Sequence, residues 1–244
     1  MKENEYDNPE FFREYCKMSR SVKGLAGAGE WHALKRLMPD FTGKRVLDLG
    51  CGFGWHCRWA RQQGAASVLG IDLSRNMLDR ARALTQDPGV EYRACAMEDY
   101  EYPPLEFDVV LSSLAFHYTE DFPALCRRIY STLRPGGDFV FSVEHPVFTA
   151  CGSQDWYRDG QGEILHWPVD HYFSEGRRDA VFLGKHVVKY HRTLTTYLSS
   201  LFEAGFALSA VAEPKPDPAM LEEPGMRDEL RRPMMLLAAA KKPA

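Results

Sequence analysis

Arg45-Val46-Leu47-Asp48-Leu49-Gly50-Cys51-Gly52-Phe53-Gly54 is followed, after a short interval, by Gly70-Ile71-Asp72-Leu73-Ser74. The first stretch reads as a buried strand running into a glycine-rich turn, and the second as a strand ending in an acid. With a helix between them, they make the first βαβ unit of an open parallel sheet. Such a sheet places a small-molecule site at the carboxyl ends of its strands. Glycine in the turn lets the backbone approach a ligand where a Cβ would collide. Asp72 stands about 20 residues beyond Gly52, where a carboxylate accepts hydrogen bonds from the hydroxyls of a ribose. An adenosine-containing cofactor is the ligand this spacing predicts.

The turn does not suit a nicotinamide dinucleotide. That fingerprint needs a third small residue three positions after the second glycine, so that the helix aims its N-terminus at a pyrophosphate. Here that position is Trp55, and Gly54 comes one residue early. A cofactor without a pyrophosphate has no such requirement. Val46-Leu47-Asp48-Leu49-Gly50-Cys51-Gly52-Phe53-Gly54, with Asp72 after it, resembles the first motif of the class I S-adenosylmethionine-dependent methyltransferases. The resemblance implies an α/β fold: a doubly wound, mostly parallel seven-stranded Rossmann-like sheet with N-terminal helices and an insertion after the fifth strand. It also implies that Gly50, Cys51 and Gly52 lie against the methionine and ribose of the cofactor and that Asp72 binds the ribose. It covers residues 41–145 closely and 193–241 more loosely.

The 244 residues fit one α/β domain with an insertion. Apolar residues make up 45% and charged residues 26%, the balance of a soluble globular chain. A net charge of −4 with no lysine-arginine block leaves no electrostatic footprint for nucleic acid. No apolar run approaches the roughly 20 residues of a membrane span, and Met1-Lys2-Glu3-Asn4-Glu5 lacks a signal peptide's apolar stretch. A cytoplasmic protein without a membrane partner is expected. The six cysteines contain no CxxC pair and read as reduced thiols, and the eight histidines show no tight ligand spacing, so no metal is expected. Oligomeric state is not legible.

Four segments follow from the pattern. Residues 1–40 read as a helical cap, with Phe11, Phe12, Tyr15, Cys16 and Met18 on one apolar face and a second helix from Gly29 to Met38. Residues 41–145 form the cofactor-binding core. Its strands are expected at 45–49, 67–71, 90–95, 107–112 and 138–144, with helices at 54–63, 74–84 and 121–133. The last of these helices ends at Arg134-Pro135-Gly136-Gly137. Residues 146–192 lack helical periodicity but carry many aromatics among glycines and charges, which points to an acceptor-binding insertion rather than disorder. Residues 193–244 close the domain with a helix at 193–204, strands at 206–212 and 234–240, and a proline-rich loop between the strands.

The cofactor-binding residues implied by the resemblance are Tyr15 and Arg20 in the cap, Gly50, Cys51, Gly52, Asp72, Leu73, Met77, Met97, Glu98 and Ser113. Arg20 would pair with the cofactor's carboxylate through a bidentate fork, or stand as a surface charge. Met77 would flank the adenine, with backbone groups of Ala96-Met97-Glu98-Asp99 meeting its ring. Glu98-Asp99 has a lesser alternative reading as an exposed helix cap. His117 in the loop after the fourth strand, and Glu144 and His145 at the end of the fifth, are the candidate catalytic groups. Pro146 is expected to redirect the chain so that Glu144 and His145 both face the pocket. Each of the three also reads as a structural hydrogen-bonding group. His191 is a further candidate base, and Trp156, Trp167, Tyr172, Tyr190 and His191 are the candidate acceptor-binding set.

Methyl transfer asks little of side chains beyond alignment of nucleophile, methyl and sulfur. The expected activity is methyl transfer from S-adenosylmethionine, giving S-adenosylhomocysteine, to oxygen or nitrogen of a small molecule. An RNA or protein methyltransferase is disfavoured by the acidic balance. A non-catalytic S-adenosylmethionine-binding protein would show an acceptor pocket without polar groups.

Overall fold

The computed structural model describes residues 4–244, so the first three residues of the expected cap lie outside the described residues. From the amino terminus, α1 (Pro9–Tyr15), α2 (Ser19–Lys23) and α3 (Trp31–Leu37) precede the core. The core runs β1 (Arg45–Leu49), α4 (Trp55–Gln62), β2 (Ser67–Asp72), α5 (Arg75–Ala83), β3 (Val90–Ala94), β4 (Phe107–Ser113), α6 (Phe122–Thr132) and β5 (Leu133–Glu144). After β5 come α7 (Pro146–Thr149), the hairpin of β6 (Tyr157–Arg158) and β7 (Ile164–His166), and the hairpin of β8 (Gly176–Phe182) and β9 (Lys185–His191). The closing elements are α8 (Leu194–Ala204), β10 (Ala207–Ala212) and β11 (Met235–Lys241).

The seven-stranded sheet has the order β3-β2-β1-β4-β5-β11-β10. Strands β1 to β5 are parallel, and β11 and β10 run antiparallel to their neighbours. Strand order reverses between β1 and β4, which opens a crevice at their carboxyl ends. Alternate residues of each strand feed opposite faces. Leu47, Leu49, Val110, Phe139 and Phe141 meet Phe122, Ile129, Tyr197 and Leu201 of α6 and α8 on one side. Val46, Val68, Val109 and Val140 meet Leu34, Cys57, Ala60 and Leu78 of α3, α4 and α5 on the other. Both faces are covered, which is why these strands read as near-continuous apolar runs.

Three segments differ from the sequence reading. Residues 95–106 carry no helix, so Glu98-Asp99 caps nothing. Strand β5 begins at Leu133 and includes the Pro135-Gly136-Gly137 stretch, with Gly136 at φ 78° and a shift of register between Phe107 and Val109. A bulge there, rather than a helix stop followed by a new strand, lets the chain keep pairing while it bends. Residues 146–192 are largely two hairpins. Leu183 (φ 50°) and Gly184 (φ 75°) make the two-residue turn between β8 and β9, both in the left-handed region that such a turn demands. The inward residues Val187, Lys189 and His191 carry the period of two that the aromatic content masked.

The cap and the second hairpin meet. Phe11 of α1 is fully buried against Ala180 and Val187, with its ring 5.7 Å from that of Phe182. Ahead of α1, the Asp7 carboxylate accepts from the Ser74 hydroxyl at 2.6 Å and the Asn76 amide at 3.1 Å, at the start of α5. The Tyr6 and Tyr118 hydroxyls share a hydrogen bond of 3.0 Å. Hairpin β8–β9 pairs only with itself, so side chains alone hold it to the main sheet.

Two glycines separate backbone strain from crowding. Gly43 and Gly54 both have φ 70°, but a Cβ on Gly43 meets nothing within 4 Å, whereas one on Gly54 falls 2.0 Å from the Tyr92 hydroxyl. Gly43→Ala should therefore lose only the left-handed penalty, about 1–2 kcal/mol. Gly54→Ala should lose roughly a further 1–3 kcal/mol from overpacking. Urea unfolding of the two variants checks this, and equal losses would show that Tyr92 yields freely.

Candidate functional site

Strand β1 ends in a turn built on three left-handed glycines, Gly50 (φ 71°), Gly52 (φ 52°) and Gly54 (φ 70°). The amides of Gly50 and Cys51 both donate to the Ile71 carbonyl, at 2.9 and 3.0 Å. The Gly52 amide donates to Asp72 Oδ2 at 2.8 Å, and the Ser74 amide to Oδ1 at 2.9 Å. A Cβ on Gly50 would lie 2.4 Å from Ala115 Cβ, so this glycine lets β1 and the loop after β4 close together. On Gly52, a Cβ would meet no atom within 4 Å, because the space over it is cavity.

That cavity encloses about 1240 Å3 of empty space, its open mouth included. Gly50, Gly52 and Asp72 line it, followed by Leu73, Met77, Met97 and Glu98 along one wall. Ser113, His117 and Glu144 stand at the ends of β4 and β5, and Tyr6, Phe182, Met234 and Met235 complete the enclosure. A recess continues from the glycine turn beneath the cap, lined by Tyr15, Arg20, Glu30, Cys51, Trp55 and His56. Arg20 donates to both oxygens of Glu30 at 2.9 Å through Nη2 alone. The Ser21 hydroxyl and the Trp55 indole nitrogen line this recess buried and without a hydrogen-bond partner. Buried donors are rarely left so.

Burial sets the charges. It raises Asp72 to about 6 against the lowering effect of the backbone donors of Ser74, Gly52 and Leu73. Beneath the turn, Asp48 is 1% exposed, and burial raises it to about 7 despite a 3.1 Å contact from the Cys57 thiol. His117 is pushed down to about 4 by burial and is neutral. Its Nδ1 faces the Glu144 amide at 3.5 Å, which leaves the proton on Nε2, 3.9 Å from Glu144 Oε1. Burial would raise Glu144, but His117 and Lys189, with hydrogen bonds from Lys189 and Gln154, hold it below the ordinary carboxylate range.

The structure brings Tyr15, Arg20, Gly50, Gly52, Asp72, Leu73, Met77, Met97, Glu98, Ser113, His117 and Glu144 to the cavity, and Cys51 to the recess. It takes the other candidates elsewhere. His145 follows the end of β5 and does not share the pocket with Glu144. Its Nε2 meets Glu213 at 2.7 Å and its Nδ1 accepts from the Val147 amide, so it caps α7. His191 is fully buried, with Nδ1 on the Thr149 hydroxyl and Nε2 on the Tyr172 carbonyl, both at 2.8 Å. The Tyr172 hydroxyl accepts from the Leu194 amide at the start of α8, and Tyr190 lies on the outward side of β9. Trp156 and Trp167 are away from the cavity and hold the Arg232 guanidinium at 5.0 and 4.0 Å, while Trp167 stacks on Phe148. None of these six lines the cavity. Tyr6, Tyr118, Gln154, Phe182, Lys189, Met234 and Met235 went unread. Tyr118 adjoins His117, Gln154 lies ten residues past Glu144, and the others come from segments distant from the core strands, where only the alternation along β9 marked Lys189 as inward.

A doubly wound sheet with a glycine turn on its first strand, a carboxylate ending its second and a roofed cavity over both defines a nucleoside-binding α/β protein. The methyltransferase domain family matches residues 47–141. Two solved structures share the fold over nearly the whole chain. A Listeria monocytogenes protein assigned to the S-adenosylmethionine-dependent methyltransferases is 55% identical, with a TM-score of 0.87 over 91% of this chain and 100% of that one. The S-adenosylmethionine-dependent methyltransferase of Mesorhizobium loti is 46% identical, with a TM-score of 0.83 over 89% and 100%. A Neisseria meningitidis ubiquinone biosynthesis O-methyltransferase is 34% identical over 53% of this chain, which spans 61% of that enzyme. The chain belongs to the S-adenosylmethionine-dependent methyltransferase family. Its cofactor is S-adenosylmethionine.

The raised Asp48 fixes a signature in the ligand-free protein. The folded chain holds this proton to a higher pH than the unfolded chain, so its contribution to stability is lost as pH rises from about 4 to about 7. Asp48→Asn removes that loss. Its unfolding free energy relative to the parent should climb across this window by up to about 4 kcal/mol. Urea titrations at several pH values measure the difference, and a difference independent of pH would refute the shift.

Proposed function

We propose that this chain transfers a methyl group from S-adenosylmethionine to oxygen or nitrogen of a small molecule held at the His117–Glu144 end of the cavity, in the cytoplasm. Enclosure carries this reading. Phe182 of the β8–β9 hairpin and Tyr6 of the N-terminal segment roof the end of the site that Glu144 and His117 floor. A roof of this kind admits a metabolite far more readily than a folded RNA or a protein surface. The presence of Glu144, His117 and Tyr118 there also argues against a protein that only stores the cofactor. Among the described residues no helix is long and apolar enough to cross a membrane, and the six cysteines are free, as in a reducing compartment.

In this proposal, Gly50 and Gly52 let the backbone run along the cofactor, and Asp72 accepts from its ribose. Leu73, Met77 and Met97 wall the adenine. Arg20, with the unpartnered Ser21 hydroxyl and Trp55 nitrogen, receives the amino-acid end. The bound cofactor supplies an activated sulfonium methyl, whose bond pair returns to sulfur as the acceptor's lone pair forms the new bond. The chain aligns the acceptor and excludes water. At Glu144 an ionised carboxylate receives the acceptor's hydrogen bond, and it can take the proton that a methylated hydroxyl sheds. An acceptor amine attacks from its neutral form, which has the lone pair, and the ammonium product keeps the amine's hydrogens. Neutral His117 donates from Nε2 and fixes orientation rather than acting as the base.

Incubation with tritiated cofactor and a whole-cell extract, separated into metabolite, RNA and protein fractions, tests the reading. Label is expected among the metabolites, and label only in RNA or protein would overturn it. Cofactor binding adds a second check. S-adenosylhomocysteine should bind more tightly as pH rises through about 6, where Asp72 ionises. Asp72→Asn should flatten that rise and cost about 1.5–3 kcal/mol at higher pH. Calorimetric titration reads both, and unchanged affinity would remove Asp72 from the ribose.

A further inference from the structure

Glu144 is held from behind. Its Oε1 accepts from Lys189 Nζ at 2.6 Å and its Oε2 from Gln154 Nε2 at 2.9 Å. Gln154 Oε1 accepts from the same ammonium at 2.8 Å, which closes a ring of three side chains. Lys189 is 3% exposed and does not line the cavity, whereas Glu144 does. The ammonium also sits 5.4 Å from the centre of the Phe182 ring, which does line the cavity. Gln154 adopts φ 49°, a left-handed conformation that a non-glycine residue keeps only where its surroundings impose it. Two elements of the insertion thus converge on one carboxylate at the end of β5.

What the acceptor meets is consequently one-sided. Among the described residues lining the cavity, Arg20 is the only cation, and it is committed to Glu30 at the other end. The acceptor end presents the Glu144 carboxylate, neutral His117, the Tyr6 and Tyr118 hydroxyls, and apolar Phe182, Met234 and Met235. A phosphate or carboxylate there would face a carboxylate with no cation to meet it, a costly burial. An uncharged or cationic molecule would instead offer its hydroxyl or amine hydrogen to Glu144 and lay its apolar body on the methionines.

We propose that Lys189 and Gln154 are positioning residues that lock Glu144 in place, and that the acceptor is a non-anionic small molecule whose hydroxyl or amine donates to Glu144. The proposal rests on the methyltransferase reading above and narrows it to a substrate class. The titratable groups facing Glu144 are His117 after β4, Lys189 on β9 and Tyr197 on α8. Of these, only Lys189 supplies positive charge near neutral pH.

The first test needs no variant. Metabolites labelled from the tritiated cofactor are passed over an anion-exchange resin. Label is expected in the unbound, neutral and cationic fraction. Label in the retained fraction would overturn the substrate class while leaving methyl transfer to a small molecule intact, and an absence of label from all metabolites would instead strike the parent reading. The second test uses the labelled acceptor once it is purified. Lys189→Met should lower kcat/KM roughly 10- to 100-fold, the value of a hydrogen bond to a charged group. It should also shift the acid limb of the profile to higher pH, because Glu144 loses the cation that holds its carboxyl down and His117 loses a positive neighbour. Lys189→Arg should restore both, with S-adenosylhomocysteine affinity, read by calorimetry, within about twofold throughout. Gln154→Leu, which keeps the ion pair, should move the same limb by a smaller amount and covers the case in which Lys189→Met fails to fold. Profiles of the folded variants that superimpose on the parent's would overturn the positioning role.

Discussion

Two backbone amides, those of Gly50 and Cys51, converge on the single carbonyl of Ile71, and the rest of the molecule is arranged around that junction. It welds the end of β1 to the end of β2, and the Gly52 amide extends the weld to the Asp72 carboxylate. The loop after β4 closes onto the same point because Gly50 has no Cβ to meet Ala115. Three strand ends are thereby fixed relative to one another by main-chain groups. These groups have no rotamer freedom to lose, so the floor of the cavity is rigid before any ligand arrives.

The electrostatics divide along the same floor. At the cofactor end, burial raises Asp48 and Asp72, so that charge there is costly until donors arrive. At the acceptor end, burial acts on Glu144 in the same sense, yet Lys189 and His117 reverse the outcome. One cavity thus contains carboxylates tuned in opposite directions. The difference lies in whether a buried cation stands behind them. Asp72 has only backbone dipoles for partners, whereas Glu144 has an ammonium.

Much of this was legible in the chain. The strands from Arg45 to Glu144 and the glycine turn follow from apolar runs and breakers, because a sheet covered on both faces writes itself as uninterrupted Val, Leu and Phe. The cavity wall beside the glycine turn followed as well, since its residues lie at strand ends whose order the βα alternation dictates. The acceptor end did not. Its aromatics were the visible feature, but Trp156 and Trp167 serve to hold Arg232, and Tyr172 serves to cap α8. Tyr190 was misplaced because the period of two along β9 turns it outward, and His145 because it follows the end of β5 and caps α7. Lys189 and Gln154 lie 45 and 10 residues from Glu144, and nothing local to either announces a shared carboxylate.

The roof over the site is attached differently from the floor. Hairpin β8–β9 forms no strand pair with the main sheet, and the segment ahead of α1 is tied down through Asp7 and Tyr6. These are side-chain bonds between parts of the chain far apart in sequence, with Phe11 packed between them. Such a unit opens at a free energy below that of global unfolding, while the sheet beneath stays whole. Backbone amides of β8 and β9 therefore belong to a cooperative unit separate from β1 to β5. Within one small domain, the hairpin over the proposed acceptor end is held by side chains, whereas the glycine turn is held by the main sheet. Drift in acceptor preference among related chains can then proceed through the hairpin with little penalty to the stability of the sheet.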